Sequence, residues 1–268
     1  MKEPGRDAAV DPGRAGLPPF ADSWDEHAAW WKATFTGGAD REYEIEIIPL
    51  VVRELATCRV AVDIGCGEGQ VARALAAATG CRVVGVDPSG EQLANARAAE
   101  DPGLAISYVR AEGEHLPLAS GSVDAAFCCL VIEHVADADA LLAEAARVLA
   151  PGGTFLLVVN HPVFQGPGSG FVDDQILEER YWRVGPYLVE QWDVEEVDPE
   201  VSLAFSHRPL SRYVNPLAAR DLVLVHLEEP SPRMELLTDS VDPEFEATIP
   251  RLCAMRFEHR PRFSPPGP

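Results

Sequence analysis

From about residue 59 to residue 160, short apolar runs alternate with segments whose apolar positions recur at helical spacing. This alternation is the signature of a parallel sheet covered by helices. RVAVDIG, CRVVGVD, AISYVRA, VDAAFCCL and TFLLVVN read as five strands. Between the first two, Val71, Leu75 and Ala78 share one helical face. Ahead of the fifth, Ala138, Leu141, Leu142, Ala145, Val148 and Leu149 do the same, and Pro151-Gly152-Gly153 ends that helix. After an irregular stretch, a helix near 211–221 leads to LVLVHLEE, and IPRLCAMRFE supplies a seventh strand. Right-handed crossovers then give an open, doubly wound α/β sheet.

The pattern divides the chain without calling for a second independent domain. Residues 1–19, rich in Pro, Gly and Arg, read as a disordered leader, and 263–268 as a tail. Residues 20–262 read as one domain, with 20–57 as a helical cap ahead of the first strand and 162–209 as an insertion after the fifth. The 268 residues are 47% apolar and 24% charged, enough for a sizeable core. The formal charge of −21 comes from 43 acidic and 22 basic residues, and a phosphate backbone would meet net repulsion. No nucleic acid is therefore expected as a partner. The six cysteines show no CxxC spacing, so reduced thiols and no metal are expected. The amino terminus lacks an apolar signal core, and no stretch approaches the ~18 apolar residues of a membrane span. A cytoplasmic protein is expected.

In a doubly wound sheet the ligand lies outside the carboxyl ends of the strands, where strand order reverses beside the first strand. The turn there reads Asp63-Ile64-Gly65-Cys66-Gly67-Glu68-Gly69. A dinucleotide fingerprint needs G-x-G-x-x-G, and counted from Gly65 the third glycine position holds Gln70. An acid ahead of the turn suits a cationic amino group better than a pyrophosphate. Asp87 ends the second strand, where a carboxylate can accept hydrogen bonds from both hydroxyls of a ribose, although it could instead cap the next helix. After the third strand, Glu112 and the Gly113 amide sit where an adenine would lie.

VDIGCGEGQVARALA, VVGVDPSGEQLANAR, AEGEHLPLASGSVDAAFCCLVIEHV and ARVLAPGGTFLLVV resemble, in order, the motifs of class I S-adenosylmethionine (SAM)-dependent methyltransferases, in particular the methyltransferase type 11 group. The resemblance implies SAM as cofactor and S-adenosylhomocysteine as product. It assigns Asp63, Gly65, Gly67 and Gly69 to the methionine end, Asp87 to the ribose, Glu112 and Gly113 to the adenine, and Cys129 and Leu130 to main-chain contacts; Cys66, within the turn, is a further cofactor-binding candidate. Glu112 departs from the group, which often has Asp there. A Rossmann-like sheet of order 3-2-1-4-5-7-6 is implied, with the last strand antiparallel. Similar proteins fold the segment ahead of the first strand over the cofactor, which makes Tyr43 a lid contact; Trp30 or Trp31 reads as core.

Methyl transfer needs the acceptor held close and collinear, and a base only when the acceptor atom carries a proton. His161 follows the fifth strand directly and His134 lies in LVIEHV at the end of the fourth; both are candidate catalytic groups. In the long insertion Phe164, Tyr181, Trp182, Tyr187 and Trp192, with Tyr213 beyond it, are candidate walls of an acceptor pocket. Asp173, Asp174 and His207 are outside alternatives. The expected activity is methylation of an O or N atom of a small molecule, possible in specialised metabolism. A tRNA or protein methyltransferase and a non-catalytic SAM-binding protein are the alternatives, and the oligomeric state is left open.

Overall fold

The computed structural model describes residues 20–37, 39–199 and 201–260, so the leader and the tail lie outside the described residues. Five parallel strands form as the apolar runs require: β1 (Val60–Ile64), β2 (Arg82–Asp87), β3 (Ile106–Arg110), β4 (Val123–Cys129) and β5 (Leu149–Asn160). With β10 (Leu222–Glu228) and β11 (Leu252–His259) they make one seven-stranded sheet of order β3-β2-β1-β4-β5-β11-β10. β11 runs antiparallel to both its neighbours, and the remaining pairs are parallel. This is the order implied by the resemblance.

Alternation along each strand fills two cores. Val62, Ile64, Cys128, Phe155, Leu157 and Phe257 face α5 (Ala138–Val148) and α6 (Ser211–Ala218). Ala61, Val83, Phe127, Leu156 and Val158 face α2 (Ile48–Glu54), the π-helical turn Tyr43–Ile47 and α3 (Gln70–Thr79). Asp137 caps α5 through Ala140 N, and Ser89 caps α4 (Gly90–Ala98) through Gln92 N. α5 stops at Val148, and Pro151-Gly152-Gly153 lies within β5 where its register with β4 shifts.

The insertion is not irregular. It forms two antiparallel hairpins, β6 (Gly170–Asp174) with β7 (Glu179–Arg183), and β8 (Gln191–Asp198) with β9 (Val201–His207). Ahead of β1, α1 (Phe20–Phe35) lies beside α4 and is pinned from two sides. On one side Asp25 Oδ1 accepts from Ser89 Oγ at 2.6 Å and from Glu91 N at 3.1 Å. On the other, Trp30 Nε1 donates to Asp198 Oδ2 of the β8–β9 hairpin at 2.7 Å. The remaining short helix is α7 (Pro243–Glu246).

The carboxyl ends of β4 and β5 are tied by Glu133, whose Oε1 accepts from Asn160 N at 2.6 Å. The side chain is buried and its Oε2 has no partner. Burial raises its pKa from 4.5 to about 7. Because the folded value lies above the unfolded one, the associated stability is fully present below pH 4.5 and is lost as pH rises through 7; the shift corresponds to about 3 kcal/mol. Urea unfolding at pH 5 and pH 8 should therefore show a pH-dependent loss in the wild type that is smaller by about 2–3 kcal/mol in Glu133→Gln. Equal pH dependence in the two proteins would rule Glu133 out as the titrating group.

Candidate functional site

The turn after β1 takes its shape from three glycines in the left-handed region, Gly65 (φ 76°), Gly67 (φ 53°) and Gly69 (φ 81°). At Gly65 a Cβ would run into the Val131 side chain, so the close approach of the two loops needs glycine. At Gly67 a Cβ would meet nothing, and only the backbone conformation and the open cavity in front of it ask for glycine. The turn is held to the end of β2 by Asp87, whose Oδ2 accepts from Gly67 N at 2.8 Å while Oδ1 accepts from Ser89 N at 2.9 Å. Ser89, not Asp87, caps α4. Glu68 accepts from Gln70 N at 3.1 Å and pairs with Arg73 at 2.6 Å, which fixes the entry into α3.

In front of the turn lies a cavity of about 380 Å³. It brings together every residue assigned to the cofactor except Gly69: Tyr43, Asp63, Gly65, Cys66, Gly67, Asp87, Glu112, Gly113, Cys129 and Leu130. Gly69 stands behind the turn, packed against Tyr108. Leu130 adopts φ 54°, a strained value for a leucine, and is held by its amide hydrogen bond to Val158 O at 2.9 Å. Sequence reasoning missed Trp31 and Trp24 of α1, Gln92 of α4 and Val131, all of which line the same space. The signal for the tryptophans was their spacing along one helix, which marks a core face and a cavity roof equally well.

The electrostatics of the cavity are one-sided. Burial, with the neighbouring Asp87 and Glu68 charges, pushes the Asp63 carboxyl well above the usual carboxylate range. Its Oδ2 is buried without a hydrogen-bond partner. Burial likewise raises Asp87 to about 6. The lining contains no lysine or arginine among the described residues. Burial also raises the Tyr43 phenol and the Cys66 and Cys129 thiols, so all three stay protonated near neutral pH. An orphaned buried carboxylate beside a glycine cradle fits a ligand with a cationic amino group, and Asp87 retains acceptor capacity for ribose hydroxyls. The residues present therefore fit SAM.

The two histidines part company. His134 lines the cavity; its Nδ1 lies 2.9 Å from Ala204 O and so carries the proton, leaving Nε2 as the acceptor. Burial lowers its pKa from 6.5 to about 4. Trp24 packs edge-on against its ring at 5.0 Å, and Phe205 lies at 4.5 Å. His161, by contrast, does not line the cavity, and both its ring nitrogens are engaged: Nε2 donates to Glu229 Oε1 at 2.7 Å and Nδ1 accepts from Val163 N at 3.1 Å. It closes the turn after β5.

None of the aromatic residues expected to wall an acceptor pocket lines this cavity. Phe164 and Trp182 stack on each other at 5.1 Å, and Trp182 Nε1 donates to Val163 O at 2.9 Å, forming a small satellite core under the first hairpin. Tyr187 receives Leu210 N at its hydroxyl at 3.2 Å, and its carbonyl accepts from His207 Nε2 at 2.8 Å. Trp192 packs under the Arg208 guanidinium at 5.5 Å. Tyr213 is 1% exposed in the core against α5, and Tyr181 is exposed on the outside. Asp173 pairs with Arg180, and Asp174 caps the hairpin turn through Ile176 N and Leu177 N. Away from the cavity, Glu54, His226 and Glu228 gather between α2 and β10, where Arg53 and Arg256 already neutralise the carboxylates. No helix among the described residues is long and apolar enough to cross a membrane.

Residues 62–157 match the family described as "Methyltransferase domain" (type 11). An uncharacterized methyltransferase of Mycobacterium sp. strain JLS is 41% identical over 112 residues, which are 42% of this chain and 42% of that protein. One from Mycobacterium ulcerans strain Agy99 is 42% identical over 112 residues, with the same 42% of each chain covered. The match thus spans less than half the length of these curated relatives. In three dimensions the chain is similar to an S-adenosylmethionine dependent methyltransferase from Mesorhizobium loti, with a TM-score of 0.67 and 27% identity, covering 82% of this chain and 98% of that one. The fold is that of the class I SAM-dependent methyltransferases, and residues 62–157 match their methyltransferase domain family.

Proposed function

We propose that the chain transfers a methyl group from SAM to an O or N atom of a small molecule. The observation that carries this reading is the roofed cavity, in which an unpartnered buried Asp63 carboxylate and a neutral His134 ring share one space under the tryptophans of α1. SAM supplies an activated methyl on a sulfonium. Asp63 would hold the amino group of its methionine end, Asp87 the ribose, and Glu112 with the Gly113 amide the adenine. Tyr43, a phenol held neutral by burial, can donate a hydrogen bond but not act as a base. His134 Nε2 is the acceptor placed to orient an acceptor hydroxyl or amine and take its proton, while Ala204 O holds the ring in the required tautomer. α1 and the β8–β9 hairpin would partly shield that step from water.

A small acceptor suits this closed and acidic space better than tRNA, whose backbone would meet the −21 net charge. Specialised metabolism fits a small acceptor, and the lack of a membrane-spanning helix among the described residues is compatible with a cytoplasmic setting. Incubating the protein with methyl-labelled SAM and fractionated metabolites should place the label on a small molecule identified by mass spectrometry. Label found only in protein or tRNA would overturn the acceptor class. Cofactor binding without any transfer would favour a SAM sensor.

Calorimetry of S-adenosylhomocysteine binding should show proton release at pH 6, because an ammonium against Asp63 and hydroxyls against Asp87 both favour carboxylates that burial now disfavours. The affinity should weaken as pH falls through about 6, and Asp87→Ala should cost about 10- to 100-fold at pH 8. Binding free of proton exchange and indifferent to Asp87 would refute both assignments.

His134→Ala should lower kcat by ~10² while changing S-adenosylhomocysteine affinity less than about threefold. At saturating cofactor the acid limb of the wild-type kcat profile should fall near pH 4, since burial holds the ring neutral above that value. His161→Ala should leave kcat nearly unchanged, its ring being committed to Glu229 and Val163. A large kcat loss in His161→Ala with none in His134→Ala would reverse the two roles.

A further inference from the structure

We propose that Cys58 and Cys81 are a peroxide-reactive dithiol that closes a reversible disulfide across the amino ends of β1 and β2. The register sets Val60 opposite Arg82, and Arg82 N donates to Arg59 O at 2.9 Å. One step back along both segments puts Arg59 beside Cys81 and Cys58 on the diagonal. With neighbouring strands about 4.8 Å apart and a rise of about 3.3 Å per residue, that diagonal is about 6 Å, within the usual ~4.4–6.8 Å Cα separation of a disulfide. The two side chains also point to one face. Cys81 belongs to the buried cluster with Leu75 and Val83, and Cys58 packs against the same cluster. The two thiols are near enough to act on each other's ionisation, and Thr79, whose Oγ1 accepts from Cys81 N at 3.1 Å, acts on Cys58 as well.

The pair divides the labour that a two-step oxidation needs. Cys58 is half-buried, whereas Cys66, Cys81, Cys128, Cys129 and Cys253 are buried. The neighbouring Cys81 draws the Cys58 thiol below its ordinary value, and Cys58 together with burial pushes Cys81 up. Burial also pushes up Cys66, Cys128, Cys129 and Cys253. Cys58 is thus the thiol of the pair that an oxidant in solvent reaches first.

In the first step the Cys58 thiolate attacks one oxygen of hydrogen peroxide. The O–O bond breaks, a sulfenic acid forms, and the departing hydroxide takes up the proton to leave as water. In the second, the Cys81 sulfur attacks the Cys58 sulfur and displaces its hydroxyl, which leaves as a second water with the Cys81 proton. Two thiols have then lost two electrons to one peroxide. The ring so closed contains β1, the glycine turn and α3, the unit that shapes one wall of the cavity. The proposal does not depend on the activity of that cavity.

The test treats the full-length protein with hydrogen peroxide and maps its peptides by mass spectrometry without reduction. The expected result is a product about 2 Da lighter, a single peptide pair linked through Cys58 and Cys81, and its disappearance with dithiothreitol. Cys58→Ser should give no linked pair. Cys81→Ser should leave a Cys58 sulfenic acid that dimedone captures, and both substitutions are small enough to keep the packing. Further oxidation of Cys58 without a bridge, a bridge through any other cysteine, or no bridge at all in the wild type would overturn the proposal.

Discussion

Two main-chain hydrogen bonds to the Asp87 carboxylate organise the carboxyl edge of the sheet. Through Gly67 N they fix the glycine turn after β1, and through Ser89 N the start of α4. The arrangement has an electrostatic cost, because Asp87 and Asp63 are buried near each other and Asp63 has no hydrogen bond at Oδ2. A neutral carboxyl or a cationic ligand relieves the conflict. The free protein is limited to the first remedy, and a ligand with an amino group offers the second. Recognition of such a ligand is therefore written into an unfavourable local field rather than into a set of preformed contacts.

Around this edge the protein builds a roof rather than a deeper pocket. α1 brings Trp24 and Trp31 over the cavity, and the β8–β9 hairpin presents Ala204 O and Phe205 to His134. A carbonyl from one segment thus sets the tautomer of a ring from another. The insertion reaches the cavity through that contact, while its larger aromatics are spent on holding the hairpins together.

The strands and the glycine turn were legible because each depends on local pattern, whereas the strand order came only from the family resemblance: VAVDI and VDAAFCC are apolar on both faces, and Gly65, Gly67 and Gly69 sit at fixed spacing. The hairpins were not, because QWDVEEVD carries four acids and little that must be buried; its pairing with VSLAFSH is a tertiary fact. Histidine position was ambiguous for a similar reason. His161 directly follows a strand that points at the site, yet Glu229 and Val163 occupy its ring, and no spacing announces a partner 68 residues away. Aromatic content was ambiguous too, since Phe164 and Trp182 satisfy each other and Tyr213 fills the core.

The pinning of α1 has a kinetic consequence. The helix is held by polar contacts, Asp25 to Ser89 and Trp30 to Asp198, and by the packing of Trp31 and Phe35 against the core beneath it. The polar bonds exchange readily with water, each contributing only about 1 kcal/mol net, so raising this roof would cost chiefly the packing of Trp31 and Phe35 and would leave the sheet intact. Ser89 adjoins Asp87 and Asp198 sits on the insertion, so one swing of the helix uncovers the nucleotide side and loosens the acceptor side together. In the proposed reaction, entry and exit of the two ligands would then be coupled events. The time for which that helix stays down would bear on how fast such a cycle repeats.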